Sequence, residues 1–280
     1  MVGMQRTFCI YLDSNSHLDQ AWHCLEGNGF QVLYCTESPD GEKEIFVEKE
    51  NGLNVDDVKA LLPEVLKVEP VSIQGVDWSA QWEAHGLDFR DGYVHVDLGA
   101  FSPSLAGQDP LLLEPGPGFG DLSHPTTRMV INMMVQRCCD RDVFDVGCGS
   151  AVLSLVAIAA GAKKVIGVDI DKAIVEHAKK NAALNRMQDR TQFSFPSELC
   201  IKDLSGPYLI VMNMIWSEQM VAWESLKELH GIRGDLIVSG IRLEEGQNYL
   251  KWAEEMGWRL CEQCSEELWC VFRFSYPSDC

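Results

Sequence analysis

Val143-Phe144-Asp145-Val146-Gly147-Cys148-Gly149-Ser150-Ala151 is the stretch whose reading decides the fold. Val143 to Val146 is rich in the β-branched and aromatic side chains that suit a buried strand, and it ends abruptly at two glycines one residue apart. Gly147 and Gly149 give a tight turn in which backbone atoms can come close to a ligand. The apolar run 151–160 that follows reads as a helix. Lys164 to Val168 is a second apolar strand, ending at Asp169, and Lys172 to Asn185 has the spacing of an amphipathic helix. Strand, helix, strand, helix in that order predicts half of a doubly wound α/β domain with a parallel sheet. Further on, Tyr208 to Met212 reads as a strand ending at Asn213, residues 234–240 as another turn and strand, and Trp258 to Cys261 with Leu268 to Phe274 as a terminal antiparallel pair.

Upstream the pattern changes. Thr7 to Leu12 reads as a strand, Ser16 to Gly27 as a helix, and Gln31 to Cys35 with Glu44 to Val47 as a hairpin around Ser38-Pro39-Asp40-Gly41. A helix over Val55 to Leu66 and a short strand over Val71 to Ile73 complete a β-α-β-β-α-β order, the pattern of a small α+β ferredoxin-like domain over residues 1–76. Residues 77–100 are expected as a linker region, with Trp78 and Trp82 on one side of a short helix and Tyr93 to Val96 as a strand. Residues 101–280 then hold the larger domain. Its approach includes the Gly/Pro-rich Glu114 to Gly120 and His124-Pro125-Thr126-Thr127, which leads into a helix over Arg128 to Val135.

The chain has 280 residues, 23 basic and 42 acidic, for a net charge of −19. Fifteen of those negative charges precede residue 126, so the excess lies on the N-terminal side. This disfavours direct nucleic-acid binding, which needs a basic surface, and suits a basic protein partner or a merely solvated face. The 11 cysteines are odd in number and follow no disulfide framework, which predicts reduced thiols and a cytoplasmic protein. Cys261 and Cys264 have the spacing of half a zinc site but no second pair, so no metal is expected. The most apolar stretch, 151–160, is too short to span a bilayer, and no membrane association is expected.

Glycine turn plus distal acid allows two readings. A nicotinamide site would place a third glycine after Gly149, where this chain has Ser150-Ala151. Asp145, two residues before Gly147, instead resembles the acid of the class I S-adenosylmethionine-dependent methyltransferases, with Asp169 as the acceptor of two ribose hydroxyls. Asp145 could order the loop or meet the amino-acid end of the cofactor, while Asp171 reads as a helix cap.

The resemblance narrows with Trp78 and Trp82, Glu114-Pro115-Gly116-Pro117-Gly118-Phe119-Gly120, His124-Pro125-Thr126-Thr127, Val168-Asp169-Ile170-Asp171 and Asn213-Met214-Ile215. In this order they resemble the bacterial methyltransferase family that modifies large-subunit ribosomal protein eleven. The resemblance implies a Rossmann-like methyltransferase sheet and an N-terminal domain that helps recognise the protein substrate. It also implies S-adenosyl-L-methionine as cofactor, with Thr126, Gly147, Asp169 and Asn213 as its contacts. Thr126 could also cap the following helix, and the two roles can coexist. The expected activity is N-methylation of lysine or N-terminal amines on a basic ribosomal protein, by a monomer. Another basic protein, a small amine, or a non-catalytic role in ribosome assembly are the alternatives. No catalytic residue is assigned: His124 could assist deprotonation or simply hold the loop. The family continues Phe-Gly with Thr-Gly, where this chain has Asp121-Leu122, a change that bears on the acceptor channel.

Overall fold

The computed structural model describes residues 6–14, 16–37, 43–49, 53, 55–71, 78–86, 88–199, 201 and 207–276. The chain divides into two compact units, Met1–Asp77 and Trp78–Cys280.

The first unit runs β1 (Arg6–Leu12), α1 (Leu18–Gly27), β2 (Gln31–Glu37), β3 (Lys43–Lys49), α2 (Val55–Leu61) and β4 (Val65–Val71). The strands form an antiparallel sheet in the order β2-β3-β1-β4. Phe8, Ile10 and Leu12 alternate along β1 onto one face, where Ile45 and Val47 of β3 join them under Ala21 and Leu25 of α1 and Val58 of α2. The helix expected to reach Leu66 stops at Leu61, and the strand expected at Val71 to Ile73 begins at Val65. Pro63 explains the early stop, because the residue before a proline is pushed out of the helical region. Pro70 is tolerated within β4 because β4 is an edge strand. The expected turn at Ser38 to Gly41, and Ile73, lie outside the described residues.

The second unit opens with α3 (Trp78–His85) and a small antiparallel sheet of β5 (Phe89–Arg90), β6 (Tyr93–Val96) and β7 (Leu111–Leu113). Residues 78–100 thus form elements grouped with this unit, and Trp82 is buried in its core. There follow α4 (Pro125–Met134), β8 (Asp142–Val146), α5 (Val152–Ala159), β9 (Lys164–Val168), α6 (Lys172–Leu184), β10 (Thr191–Ser194), β11 (Tyr208–Asn213), α7 (Trp216–Ser225), β12 (Gly234–Arg242), α8 (Gly246–Glu255), β13 (Arg259–Glu266) and β14 (Trp269–Tyr276). The large sheet has the order β10-β9-β8-β11-β12-β14-β13, parallel from β10 to β12 and closed by the antiparallel β14 and β13.

Side-chain alternation splits the core in two. Val143, Val165, Leu209, Val211 and Ile237 point to one face, with α4, α5 and α6, and Phe144, Ile166, Ile210, Met212, Leu236 and Val238 to the other, with Trp223 of α7 and Tyr249 of α8. A central strand covered on both faces is buried at every position, and β8 is buried at all five, Asp142 and Asp145 included. This is the doubly wound, Rossmann-like architecture. β8 pairs with β9 on one side and β11 on the other, so the winding reverses there, and the carboxyl ends of these strands are where sheets of this kind take their ligands.

Candidate cofactor and active site

The turn after β8 is built of backbone that side chains would disturb. Gly147 (φ +71°), Gly149 (φ +52°) and Ala151 (φ +68°) are all left-handed, so three of five consecutive residues take a conformation that costs an ordinary residue about 1 kcal/mol or more. The Gly147 and Cys148 amides donate to Val168 O at 2.8 and 3.1 Å, tying the turn to the end of β9. A Cβ on Gly149 would lie 2.5 Å from Phe119 O, and one on Gly118 would lie 2.5 Å from Gly149 C. The Gly/Pro-rich segment before α4 therefore stacks directly on the turn, and Ser150 N donates to Phe119 O at 2.8 Å.

Two carboxylates stand beside this turn. Asp169, half-buried at the end of β9, accepts from Gly149 N at 3.4 Å and from Asp171 N at 3.1 Å, one bond per oxygen. Each oxygen keeps a lone pair for a further donor, as a vicinal diol requires. Burial pushes the Asp169 pKa up, against the pull of the backbone amides of Asp171, Gly149 and Ile170. Asp145, on β8, is fully buried, and its pKa is pushed up to about 7 by burial, with the Asp169 charge adding to the rise. Ser154 Oγ donates to Asp145 Oδ2 at 2.6 Å, which favours the charged form, while Oδ1 has no partner among the described residues. Asp171 caps α6, its Oδ1 accepting from Ala173 N at 2.6 Å.

At the end of β11, Asn213 Nδ2 donates to Thr127 Oγ1 at 3.3 Å. Its neighbour Thr126 is turned instead to His124, with Oγ1 and Nδ1 2.7 Å apart. His124, not Thr126, is the N-cap of α4, its Nδ1 accepting from Thr126 N. The His124 ring lies 5.6 Å from Phe119 and 5.0 Å from Trp269, both edge-on, forming an aromatic wall. Phe119 itself is 53% exposed, unusual for so large an apolar ring.

Position 122 keeps the backbone that a glycine would take, with φ +70° at Leu122, whose side chain is buried in the core. Asp121 Oδ1 accepts from both Ser123 N and Ser123 Oγ, and Arg128 donates to Leu122 O at 2.9 Å. Asp121-Leu122-Ser123 is thus a turn held by its own side chains and by Arg128.

Two buried amides hold the loops on either side of the turn. Asn181 of α6 accepts from Glu114 N at 2.8 Å and donates to Ser150 O at 2.9 Å, and its neighbours one turn away, His177 and Asn185, bond to the same strap. Gln219 of α7 donates to Met214 O at 2.7 Å and to Ser239 O at 2.9 Å, and accepts from Tyr249 Oη at 2.6 Å. Met214 in turn covers Gly147, where a Cβ would lie 2.1 Å from its Cε. Sequence reading did not find these roles. The one available signal was the four-residue spacing of His177, Asn181 and Asn185, which puts three polar side chains on one helix face.

A glycine cradle closed by neighbouring backbone, a diol-ready carboxylate on the next strand and a polar side chain after β11 together fit S-adenosyl-L-methionine. The chain is a class I S-adenosyl-L-methionine-dependent methyltransferase. Residues 42–276 match the family model described as ribosomal protein L11 methyltransferase (PrmA), and the chain belongs to that family. A ribosomal protein L11 methyltransferase from Dictyoglomus thermophilum is 33% identical over 224 residues, covering 79% of this chain and 71% of the relative. One from Geobacter metallireducens is 31% identical over 199 residues, covering 69% and 64%. A crystal structure of ribosomal protein L11 methylase from Lactobacillus delbrueckii subsp. bulgaricus shares the fold at a TM-score of 0.53 and 24% identity, covering 65% of this chain and 98% of that one.

Proposed function

We propose that this protein transfers methyl groups from S-adenosyl-L-methionine to lysine or N-terminal amines of ribosomal protein L11, in the cytoplasm. The observation that carries the reading is the meeting of the Gly147–Gly149 turn, Asp169 and Asn213 at the carboxyl ends of three adjacent strands, in a chain of this family. When bound, S-adenosyl-L-methionine supplies an activated methyl group on a sulfonium centre. Asp169 holds the ribose hydroxyls, and the glycine turn lets the cofactor approach the backbone. Asp145, with Oδ1 uncommitted, orders the turn or meets the amino-acid end. Thr126 and Asn213 complete the contacts, and the structure adds Thr127 as the residue that orients Asn213.

The acceptor nitrogen must reach the methyl group deprotonated and in line, so positioning and water exclusion are the chain's main contributions. The exposed ring of Phe119, with His124 edge-on against it, offers an aromatic wall along which an alkylamine stem can lie. The acidic N-terminal unit favours the approach of a basic protein. Incubation of the protein with methyl-labelled cofactor and purified L11, followed by intact-mass and site mapping, should show additions of one or more methyl masses on amines. Labelling of another basic protein or a small amine, with L11 left unmodified, would redirect the acceptor assignment.

A further inference from the structure

The strap formed by residues 112–120 reaches the glycine turn without any secondary structure of its own beyond the end of β7, and most of the side chains that bond its backbone come from α6 and its C-cap, with Ser150 Oγ donating to Gly120 O at its far end. His177 and Asn181 of α6 and Asn185 at its C-cap recur every four residues and face the strap. Asn185 pairs with Leu112 in both directions, Oδ1 accepting from its amide at 2.9 Å and Nδ2 donating to its carbonyl at 2.7 Å. Asn181, with no solvent exposure, accepts from Glu114 N and donates to Ser150 O, so one amide joins strap and turn. His177, 4% exposed, accepts from Gly118 N through Nδ1 at 3.1 Å, which leaves the proton on Nε2 to be donated to Glu114 O at 2.7 Å. The imidazole is therefore neutral, and burial lowers its pKa in the same sense.

Glycines at the contacts show how closely the parts are pressed. A Cβ on Gly116 would lie 2.5 Å from His177 Nε2, and one on Gly118 would meet the backbone of Gly149 at the same distance. Trp82 closes the far side of the imidazole, edge-on at 5.8 Å. Buried polar side chains bonded to the backbone of two neighbouring loops serve to specify the path of both, since each unmade bond would leave a desolvated group behind.

We infer that Asn181 and His177 are positioning residues of the methyl-transfer site, acting through the 112–120 strap to hold the glycine turn in its cofactor-binding shape. This rests on the cofactor reading of that turn. Because the ladder bonds to the backbone of strap and turn, its loss raises the cofactor's KM.

The test uses the full chain and the demethylated cofactor, S-adenosylhomocysteine, in calorimetry, alongside steady-state methylation of L11. Asn181→Leu, similar in size and unable to bond, should weaken S-adenosylhomocysteine binding roughly 10- to 100-fold, the loss expected of two buried hydrogen bonds. His177→Phe should do the same. His177→Gln, which can still accept and donate, should recover a good part of the affinity, which a merely space-filling role would not predict. Both the affinity loss and the rescue should appear in proteins with cooperative unfolding transitions. Affinity within twofold of wild type in folded Asn181→Leu or His177→Phe would overturn the inference, as would equal losses for His177→Phe and His177→Gln. Should the unsubstituted protein itself fail to bind S-adenosylhomocysteine, the cofactor reading falls first and takes this inference with it.

Discussion

Replacing Asp145 by asparagine should remove a pH dependence of stability that the buried carboxyl imposes. With its pKa pushed up to about 7 in the fold, Asp145 stays protonated in the native state over a range where the unfolded chain has already released the proton. Between about pH 4 and 7 the native protein thus binds more protons than the unfolded one, and stability falls as pH rises through this window, levelling off above it. The displacement of about three pKa units corresponds to at most ~4 kcal/mol, of which ~2 kcal/mol falls between about pH 5.5 and 7. Asparagine matches the shape of the protonated acid and does not titrate. Its amide group sits where Oδ1 has no partner, so the variant carries a pH-independent penalty of ~1–3 kcal/mol of its own. The difference between the two proteins, not either curve alone, isolates the effect. Asp169 is common to both, and its own rise enters the difference only through its coupling to Asp145. Urea unfolding of the cofactor-free proteins, followed by tryptophan fluorescence at several values from about pH 5.5 to 8, should show the variant gaining ~2 kcal/mol relative to wild type. A difference constant to within ~0.5 kcal/mol across that range would refute the reasoning.

Three further outcomes follow from the geometry. Gly149→Ala should cost more than Gly147→Ala, because its Cβ would meet the backbone oxygen of Phe119, whereas that of Gly147 meets the flexible end of Met214. Left-handed strain of ~1–2 kcal/mol is common to both, so equal or reversed losses of melting temperature would count against the account of the turn. Leu122→Gly relieves ~1 kcal/mol of strain but gives up ~2–3 kcal/mol of burial and adds chain entropy, for a net loss of ~2 kcal/mol. A stabilised variant in urea titrations would show that the strain dominates. Asp169→Ala should weaken S-adenosylhomocysteine binding roughly 10- to 100-fold by calorimetry, and unchanged affinity would remove Asp169 from the site.

The parts of this fold that could be read from sequence are those whose cause is local. The change from a buried apolar strand to Gly147 and Gly149 and then to an apolar helix marks β8 and α5, and Asp171 announces the start of α6 by its place one residue before Lys172. The α2–β4 boundary was misplaced because Val65 and Leu66 continue a plausible helical face, while Pro63, the stronger determinant, breaks it. In the candidate site, Asp169 and Asn213 stand at strand ends, where position alone makes them visible. Thr127 was not picked out because Thr126 and Thr127 are chemically alike, and which of them meets Asn213 depends on how α4 packs over β11. Asn185 is the C-cap that ends α6, whereas Asn181 lies a turn inside the helix and is buried. Their partners, Glu114, Ser150 and Leu112, are far away in the chain, and no local rule could connect them.

The central place of β8 has a consequence for how the protein comes into being. Its edge toward β9 can be satisfied as soon as the next strand is made, but its other edge waits for β11, a full helix, another strand and a long connection later. Until then a strand with Val143, Phe144 and Val146 unburied offers open hydrogen-bonding groups, the condition that invites pairing with a neighbouring chain. A growing or refolding chain halted before Tyr208 would therefore be more prone to self-association than one released after Asn213, and Asn213, at the tip of the strand that covers the second edge of β8, joins the site only when that edge is filled.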